Sequence, residues 1–391
     1  MTQKIEPIWH NLPLHFRQEV VERLPYKDRC SLQKCSKTDR HCVLQSKLFL
    51  SDIAILVCAD YTMFSFSDQK DTINIVKYFK NSEKNQLKIE FTTSPRVYKP
   101  LKNQKIISKS SKTLENIRDQ DDIDFGIQDF IRAVWKLSVD NFLINDAIIA
   151  DYHPAPDTDK LDIFRAQFLK SFGSVNRKIQ AELLKIKFAL TGSQITEILA
   201  HFQPEILQKL ALIDRKATWQ IREEVTGTLQ WKHLKKVYLE VKTDLELEDV
   251  LHVDEIQAHV ADMAPEDVWR VIWAFLHKPR PGASFHFSYQ DSNPDLQRIL
   301  ETFNVPPQNL PIQAQNQLRT VLSRRFLFTQ RFHMPASRDL VLVVMIAEKE
   351  VLGTVCHVDL VNVEAKVEMG LMRNSHDNAL RSIQQPRIEG V

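Results

Sequence analysis

The chain has 391 residues, of which 52 are basic and 50 acidic, so its net charge is only +2. A chain so close to neutral is not drawn as a whole to nucleic acid or to an anionic membrane. Its apolar content of 43% is enough for a substantial core, and its length predicts two or three domains. It has only 8 glycines and no phosphate-cradling or hydrolase motif, which argues against an enzyme.

Three features of the sequence indicate the cellular compartment of the protein. The first residues lack the apolar core of a signal peptide, and the longest apolar run, 340–347, is too short to span a bilayer. Five cysteines form no disulfide framework, and those near His41 lack the paired spacing of zinc sites. We therefore expect free thiols, no metal or cofactor, and a cytoplasmic or nuclear protein.

Residues 7–48 have the apolar spacing of three short helices. The stripe that marks the first helix consists of Phe16, Val20, Val21 and Leu24. Pro25 should end that helix, Asp28 should cap a second with Leu32 and Cys35 buried, and Thr38-Asp39 should start a third. About forty residues cannot bury all these side chains among themselves, so part of the set should face another surface.

Residues 51–150 predict a bridge with strands, a basic loop and a helix. β-Branched and aromatic residues predict strands at 51–58, 61–66, 71–79 and 86–91. Six basic residues and no acidic one lie at 96–112. We interpret this segment as a solvated loop in preference to a nuclear-localisation or phosphate-binding patch. A helix at 125–137 and a strand at 141–150 follow, and the polar segment 152–160 is the best predicted domain boundary.

From residue 160 to 330, helices alternate with short strands. Strands are predicted at 185–190, 207–212, 237–241 and 283–289, and helices at 193–202, 223–232, 265–276, 293–303 and 313–324. This alternation predicts parallel strands with right-handed crossovers in an open, leucine-rich-repeat-like α/β horseshoe. If the insertion at 251–260 is helical, His252 and His259 are too far apart to share a metal ion.

The C-terminal part has a different pattern. Residues 340–347 are apolar throughout, as in a strand covered on both faces, and residues 361–371 alternate strictly. We expect an antiparallel β region at 331–371 and a disordered tail at 372–391.

The N-terminal helices resemble an F-box of the nematode variety. The residues that carry the resemblance are Leu12-Pro13, Val20-Val21-x-x-Leu24, Asp28, Leu32 and Cys35-Ser36-Lys37-Thr38-Asp39-Arg40. The resemblance implies docking onto a Skp-type adaptor and, through it, a cullin ubiquitin ligase. The residues expected to contact the adaptor are Leu12, Pro13, Leu14, Phe16, Val20, Val21, Leu24 and Leu32.

The second half resembles the FTH domain, an F-box-associated domain of nematodes. The matching segments are FLKSFGSVNRKIQAELLKIKF, ILAHFQPEILQKLALI, LQWKHLKKVYLEV and MAPEDVWRVIWAFL. This pairing implies a substrate receptor whose FTH domain binds protein. The family tends to be rich in phenylalanine around 251–260, where this chain has HVDEIQAHV. The resemblance therefore does not predict how this segment packs.

We therefore expect an α+β protein with a three-helix F-box. The expected parts are an F-box (1–50), a bridge (51–150), an FTH-like repeat domain (160–330), a β region (331–371) and a tail (372–391). The expected function is non-catalytic target recognition for a Skp-cullin-F-box type ubiquitin ligase, and the alternative is an interaction scaffold without a ligase role. Strand positions not covered by helices are the candidate target contacts, with Tyr238 as anchor. The positions expected to be exposed are Lys185, Lys187, Lys236, Tyr238, Glu240, Ser284 and His286, of which Lys187, Lys236, Tyr238 and His286 are the candidate contacts.

Overall fold

The computed structural model of the chain separates into two compact units. The first extends to Glu182 and includes His201–Gln203, and the second contains Leu183–Ala200 and continues from Pro204. The residues described are 8–24, 26–46, 48–67, 72–81, 86–95, 109–118, 122–134, 137–145, 158–173, 178–187, 190–219, 223–243, 245–260, 263–289, 295–303 and 326–358. Most of the boundary predicted at 152–160 lies outside them, so the domain scheme stays a prediction.

Four helices open the first unit, one more than the sequence predicts. They are α1 (Ile8–Asn11), α2 (Leu14–Glu22), α3 (Tyr26–Leu32) and α4 (Lys37–Gln45). Helix α3 begins before Asp28, which lies in its first turn rather than at its cap. Helix α4 is capped by Ser36, whose hydroxyl accepts from the Asp39 amide, rather than by Thr38-Asp39. Helix α2 packs against α4.

A mostly antiparallel sheet forms the rest of the first unit. Its elements are β1 (Leu48–Val57), β2 (Tyr61–Ser67), β3 (Thr72–Asn81), β4 (Gln86–Pro95), β5 (Lys109–Arg118), α5 (Asp122–Val134), β6 (Leu137–Asn145) and α6 (Thr158–Gly173). Strands β1 to β5 pair in chain order, and β6 lies parallel to β1. The strands predicted up to residue 91 are confirmed. The last residues of the predicted basic loop, 109–112, belong to β5 instead, and 96–108 lie outside the described residues.

Helix α5 lies close to the sheet because Gly126 has no side chain. A Cβ at this position would be 2.7 Å from Cγ2 of Thr62. Phe130 packs edge-on against Phe64, and α6 packs against α5. At the start of α5, the buried Asp122 carboxylate accepts from Lys160 Nζ at 3.1 Å and from Thr62 Oγ1 at 3.1 Å.

The second unit alternates strands with helices. Its elements are β7 (Gln180–Lys187, which starts in the first unit), α7 (Gly192–Ala200), β8 (Lys209–Trp219), α8 (Glu223–Thr226), α9 (Leu229–His233), β9 (Lys236–Thr243), a 3₁₀ turn (Leu247–Asp249), β10 (Glu255–Val260), α10 (Pro265–Leu276), β11 (Ser284–Tyr289), α11 (Leu296–Thr302), β12 (Phe326–Met334), β13 (Ser337–Ala347) and β14 (Glu350–His357). Strands β7 to β11 pair in chain order and in parallel. Strand β14 then pairs antiparallel with β11, β13 with β14 and β12 with β13.

The helix-facing side of these strands is the apolar core. Alternation along the strands predicts seven side chains on this side. Six of them are buried, namely Ile186, Leu212, Val237, Leu239, Phe285 and Phe287, and the seventh, Phe188, lies outside the described residues. Helix α10 begins with proline at its first turn and two acids, as its sequence predicts. Phe285 packs edge-on against Phe275 of this helix. On β14, a Cβ at Gly353 would overlap the Phe285 ring, so a larger residue there would force that ring to move.

One expectation for this unit needs correction. The insertion at 251–260, which we considered as a helix, instead contributes strand β10. The antiparallel pairing expected in the C-terminal β region is present in β12, β13 and β14, of which the sequence analysis had marked only the apolar run at 340–347 as a strand. The predicted helix 313–324, the alternating stretch 361–371 and the tail lie outside the described residues. The fold is mixed helix and sheet, of the α+β type.

Candidate functional site

Four large apolar side chains on the N-terminal helices are exposed. They are Leu14 (39% exposed), Phe16 (51%) and Val20 (43%) on α2, and Leu44 (48%) on α4. Phe16 and Val20 lie one turn apart on the same side of α2, and we call these two residues the docking patch. Leu14 lies about 160° around the helix from Phe16. Neighbouring apolar side chains that are both exposed, as Phe16 and Val20 are, are typical of a surface that a partner covers.

The predicted adaptor contacts are divided between surface and core. Pro13 is exposed, and Leu12, Leu24 and Leu32 are half-buried. Val21 is fully buried, together with Cys42 of α4. We therefore correct the assignment of Val21, since a side chain already in the core cannot face an adaptor. Cys35, expected in the core, is exposed.

Asp39 joins α1 to α4. Its carboxylate, only 3% exposed, accepts from the indole Nε1 of Trp9 at 2.7 Å and from the hydroxyl of Ser36 at 2.7 Å. Arg29 Nε of α3 donates to the Leu24 carbonyl, just after α2, at 3.0 Å. Burial lowers the pKa of Arg29. These bonds connect α1 to α4, and α3 to the segment that follows α2.

A second candidate surface is the side of β7 to β11 opposite the core. Tyr238 donates to the Glu255 carboxylate at 2.7 Å, and Lys236 forms an ion pair with the same carboxylate. Burial, followed by the charge and hydrogen bond of Glu255, raises the pKa of Tyr238 above its usual value. Tyr238 is thus a protonated, positioned and half-buried side chain, where the sequence predicted a freely exposed one.

His286 lies in the same cross-strand row as Tyr238. The register pairs Tyr238 with Gln257 and Gln257 with His286. His286 Nε2 lies 3.3 Å from a carboxylate oxygen of Glu350 on β14, and Lys187 on β7 is half-buried. All four predicted target contacts therefore share one face of the sheet, although each is partly covered.

Several residues of this face were not predicted. Lys185 and Ser284 were expected to be exposed, yet they are 2% and 3% exposed. Glu255 lies in the insertion at 251–260, for which no strand was predicted, so its contact with Tyr238 could not be foreseen. No local sequence pattern marks Glu350 as part of this face, because its partner His286 lies on a neighbouring strand.

The described part of the chain has neither a metal-binding cluster nor a membrane-spanning helix. Among those residues, no group of three or more His, Cys, Asp and Glu side chains is placed to hold a metal ion. No helix within the same ranges has the length and apolar character needed to cross a membrane.

Two family models match the chain. Residues 9–51 match the F-box domain, and residues 162–325 match the FTH domain. The comparison with curated proteins finds no match, and the comparison with solved structures finds none either. The four N-terminal helices and the docking patch fall within the first match, and most of the parallel strands fall within the second. Together the two matches support a protein that combines an F-box with an FTH domain.

Proposed function

We propose that this chain is the substrate-recognition subunit of a Skp-cullin-F-box type ubiquitin ligase. F-box domains generally bind Skp-type adaptors, and FTH domains suggest protein interaction. Both domains are typical of non-catalytic receptor proteins. In this proposal residues 1–50 bind the adaptor, residues 160–330 bind the target protein, and residues 51–150 connect these two parts. The protein would act in the cytoplasm or the nucleus.

The docking patch is the observation that carries the proposal. Its two apolar side chains, Phe16 and Val20, are 51% and 43% exposed, while Val21 on the same helix is fully buried. Burying a side chain of this size against a partner is worth about 1.5–3 kcal/mol. A helical module that leaves several such side chains in water gains most by binding an apolar groove on an adaptor.

The target side of the proposal uses the polar face of the parallel strands. Helices cover the other face, and an open, leucine-rich-repeat-like curve of this sheet would offer a broad surface to a protein. Tyr238 is the proposed anchor, because tyrosine combines a large contact area with a hydrogen-bonding end. Lys187, Lys236 and His286 surround it and would set the charge preference of the site.

Co-purification with a Skp-type adaptor and a cullin tests the ligase role. The double variant Leu12→Ala with Pro13→Ala should retain its circular dichroism and lose most of the adaptor. If the parent protein captures no adaptor, the chain is an interaction scaffold without a ligase role.

Proximity labelling tests the target face. The parent and the variant Tyr238→Ala with Lys236→Glu are compared in an F-box-disabled background, so that captured targets are not degraded. We expect the variant to lose a subset of labelled proteins, whereas Trp273→Ala, at an exposed helix position, should not. Identical target lists and yields would remove this face from consideration.

A further inference from the structure

The side of β13 and β14 that faces away from α10 carries a second set of buried apolar side chains. Phe332 of β12 packs against Trp269 of α10 and pairs with Leu342 of β13, so Leu342 lies on the helix-facing side. Side chains alternate along a strand, so the neighbours of Leu342 in β13 lie on the opposite side. The set there consists of Val341, Val343, Met345 and Cys356, with Leu352 packed against them, and we call it the apolar cluster.

The apolar cluster is covered, although its described members all belong to the sheet. Val341, Val343, Met345 and Cys356 are at most 3% exposed, and Thr354, which pairs with Val343, is fully buried on the same side. Among the described residues, the cluster contains side chains of β13 and β14 and none from a helix. A face of an antiparallel sheet that packs against nothing stays open to water. The cluster therefore needs a cover from elsewhere in the chain.

The burial pattern limits the width and the chemistry of this cover. On β12, Arg331 pairs with Val343 and His333 pairs with Val341, so both lie on the same side as the cluster, yet both are exposed. The hydroxyl Oγ1 of the buried Thr354 has no hydrogen-bond partner among the described residues. A cover that lies over β13 and β14, stops before β12 and offers this hydroxyl no partner is narrow and apolar on its underside.

The sequence of residues 361–371 fits this description. Strand β14 ends at His357, which pairs with Leu340 and so lies beside the cluster. The chain from His357 to Val361 spans up to about 13–14 Å when extended. Stacked sheets lie about 10 Å apart, so the segment can cross from the sheet onto the cluster. An extended chain would place its apolar residues on one face, namely Val361, Val363, Ala365, Val367, Met369 and Leu371.

We propose that residues 361–371 lie in an extended conformation across the apolar cluster, as a strap that the chain supplies to its own sheet. One cross-strand row runs from Tyr238 through Gln257, His286 and Leu352 to Met345, so the strap borders the candidate target contacts. Release of the strap adds an apolar area to that face. This regulatory consequence rests on the proposed target-binding role of the face, whereas the contact of the strap with the cluster does not.

The thiol of Cys356 reports on the strap in the full chain. Cys356 is free and buried, and a buried thiol reacts only when its cover opens. Val363→Asp with Val367→Asp sets two charges against the cluster. Iodoacetamide should then label Cys356 at least about tenfold faster than in the parent, as measured by peptide mass spectrometry. Cys58, buried in the first unit, should stay protected in both proteins, and their circular dichroism should agree.

A matched control and a measurement on the parent complete the test. Asn362→Asp with Lys366→Gln changes the net charge by the same amount on the other face of the strap, and it should leave the labelling of Cys356 unchanged. In the parent, trypsin should cleave after Lys366 at least about tenfold more slowly than after Arg373, because the strap must open before it is cut. This second measurement decides if the double aspartate variant fails to fold.

Three results would overturn the inference. The first is unchanged labelling of Cys356 in the folded Val363→Asp and Val367→Asp variant. The second is rapid cleavage of the parent after Lys366 while Cys356 stays protected. The third is faster labelling only in Leu318→Asp with Val321→Asp, which would assign the cover to the predicted helix 313–324. None of these results depends on adaptor capture or target binding, so the proposed function is judged separately.

Discussion

The indole of Trp9 donates a 2.7 Å hydrogen bond to the Asp39 carboxylate, which joins α1 to the first turn of α4. Trp9→Phe keeps the ring but leaves a buried carboxylate oxygen without this donor. Such a loss costs about 1–3 kcal/mol. Native-state hydrogen exchange of the α1 and α4 amides should speed up accordingly. Trp273→Phe, at a residue 58% exposed, is the control and should have no effect. Unchanged exchange in Trp9→Phe would show that the bond does not hold the helices.

The buried pair of Lys160 and Asp122 should be sensitive to the loss of one partner. Their side chains are 17% and 4% exposed, and Lys160 also donates to the Ala59 carbonyl at 3.1 Å. Lys160→Met leaves a buried carboxylate without its cation and should destabilise the first unit by about 3–5 kcal/mol. Adding Asp122→Asn removes the unpaired charge, so the double variant should unfold at higher temperature than the single one. The opposite order of melting temperatures would contradict this explanation.

Gly353 and Phe285 should be coupled, because a Cβ at Gly353 would overlap the phenylalanine ring. Gly353→Ala overpacks this site and should cost about 1–3 kcal/mol of unfolding free energy. Shortening the neighbour with Phe285→Leu should reduce that penalty. A double-mutant cycle in urea measures the coupling, and strictly additive free energies would show that the two positions do not touch.

Stability should depend on pH through Lys185. Its folded-state pKa is about 7, and an unfolded lysine titrates near 10.4. Between these values the unfolded chain binds more protons, so stability rises with pH by up to about 1.4 kcal/mol per unit, and this gain is absent below pH 7. Lys278, whose pKa burial lowers to about 8, adds a similar slope. Urea unfolding at pH 6.5 to 9.5 should give a shallower slope for Lys185→Met than for Lys232→Met. Equal slopes would contradict the burial of an uncompensated charge.

Local patterns predicted the elements whose signals lie within a few residues. Helix α10 has proline and acids at its start and an apolar stripe, and β11 alternates apolar with polar side chains, so both were recognised with nearly their observed bounds. Strand β10 was missed although Ile256, Ala258 and Val260 alternate with polar residues, because six residues are too few to distinguish this alternation from a helical insertion. Its pairing with β9 and β11 brings together residues far apart in the sequence.

The candidate sites were predicted only in part for a related reason. Apolar spacing placed Phe16, Val20 and Val21 on one helix, but only the packing of α4 decides which of them is covered. Alternation likewise placed Lys185 on the polar face. Its burial depends on the surrounding structure, such as the neighbouring strand where Ala211 lies opposite it, and periodicity along β7 cannot reveal those neighbours.

The affinity of the chain for a purified Skp-type adaptor tests the ligase role most directly. Phe16→Ala with Val20→Ala removes two exposed side chains of the docking patch, each worth about 1.5–3 kcal/mol when a partner covers it. Calorimetric titration should therefore show binding at least about tenfold weaker than in the parent. Leu229→Ala, at a leucine 63% exposed outside the F-box match, should bind like the parent. An unchanged dissociation constant for a folded Phe16→Ala and Val20→Ala variant would contradict docking through this patch.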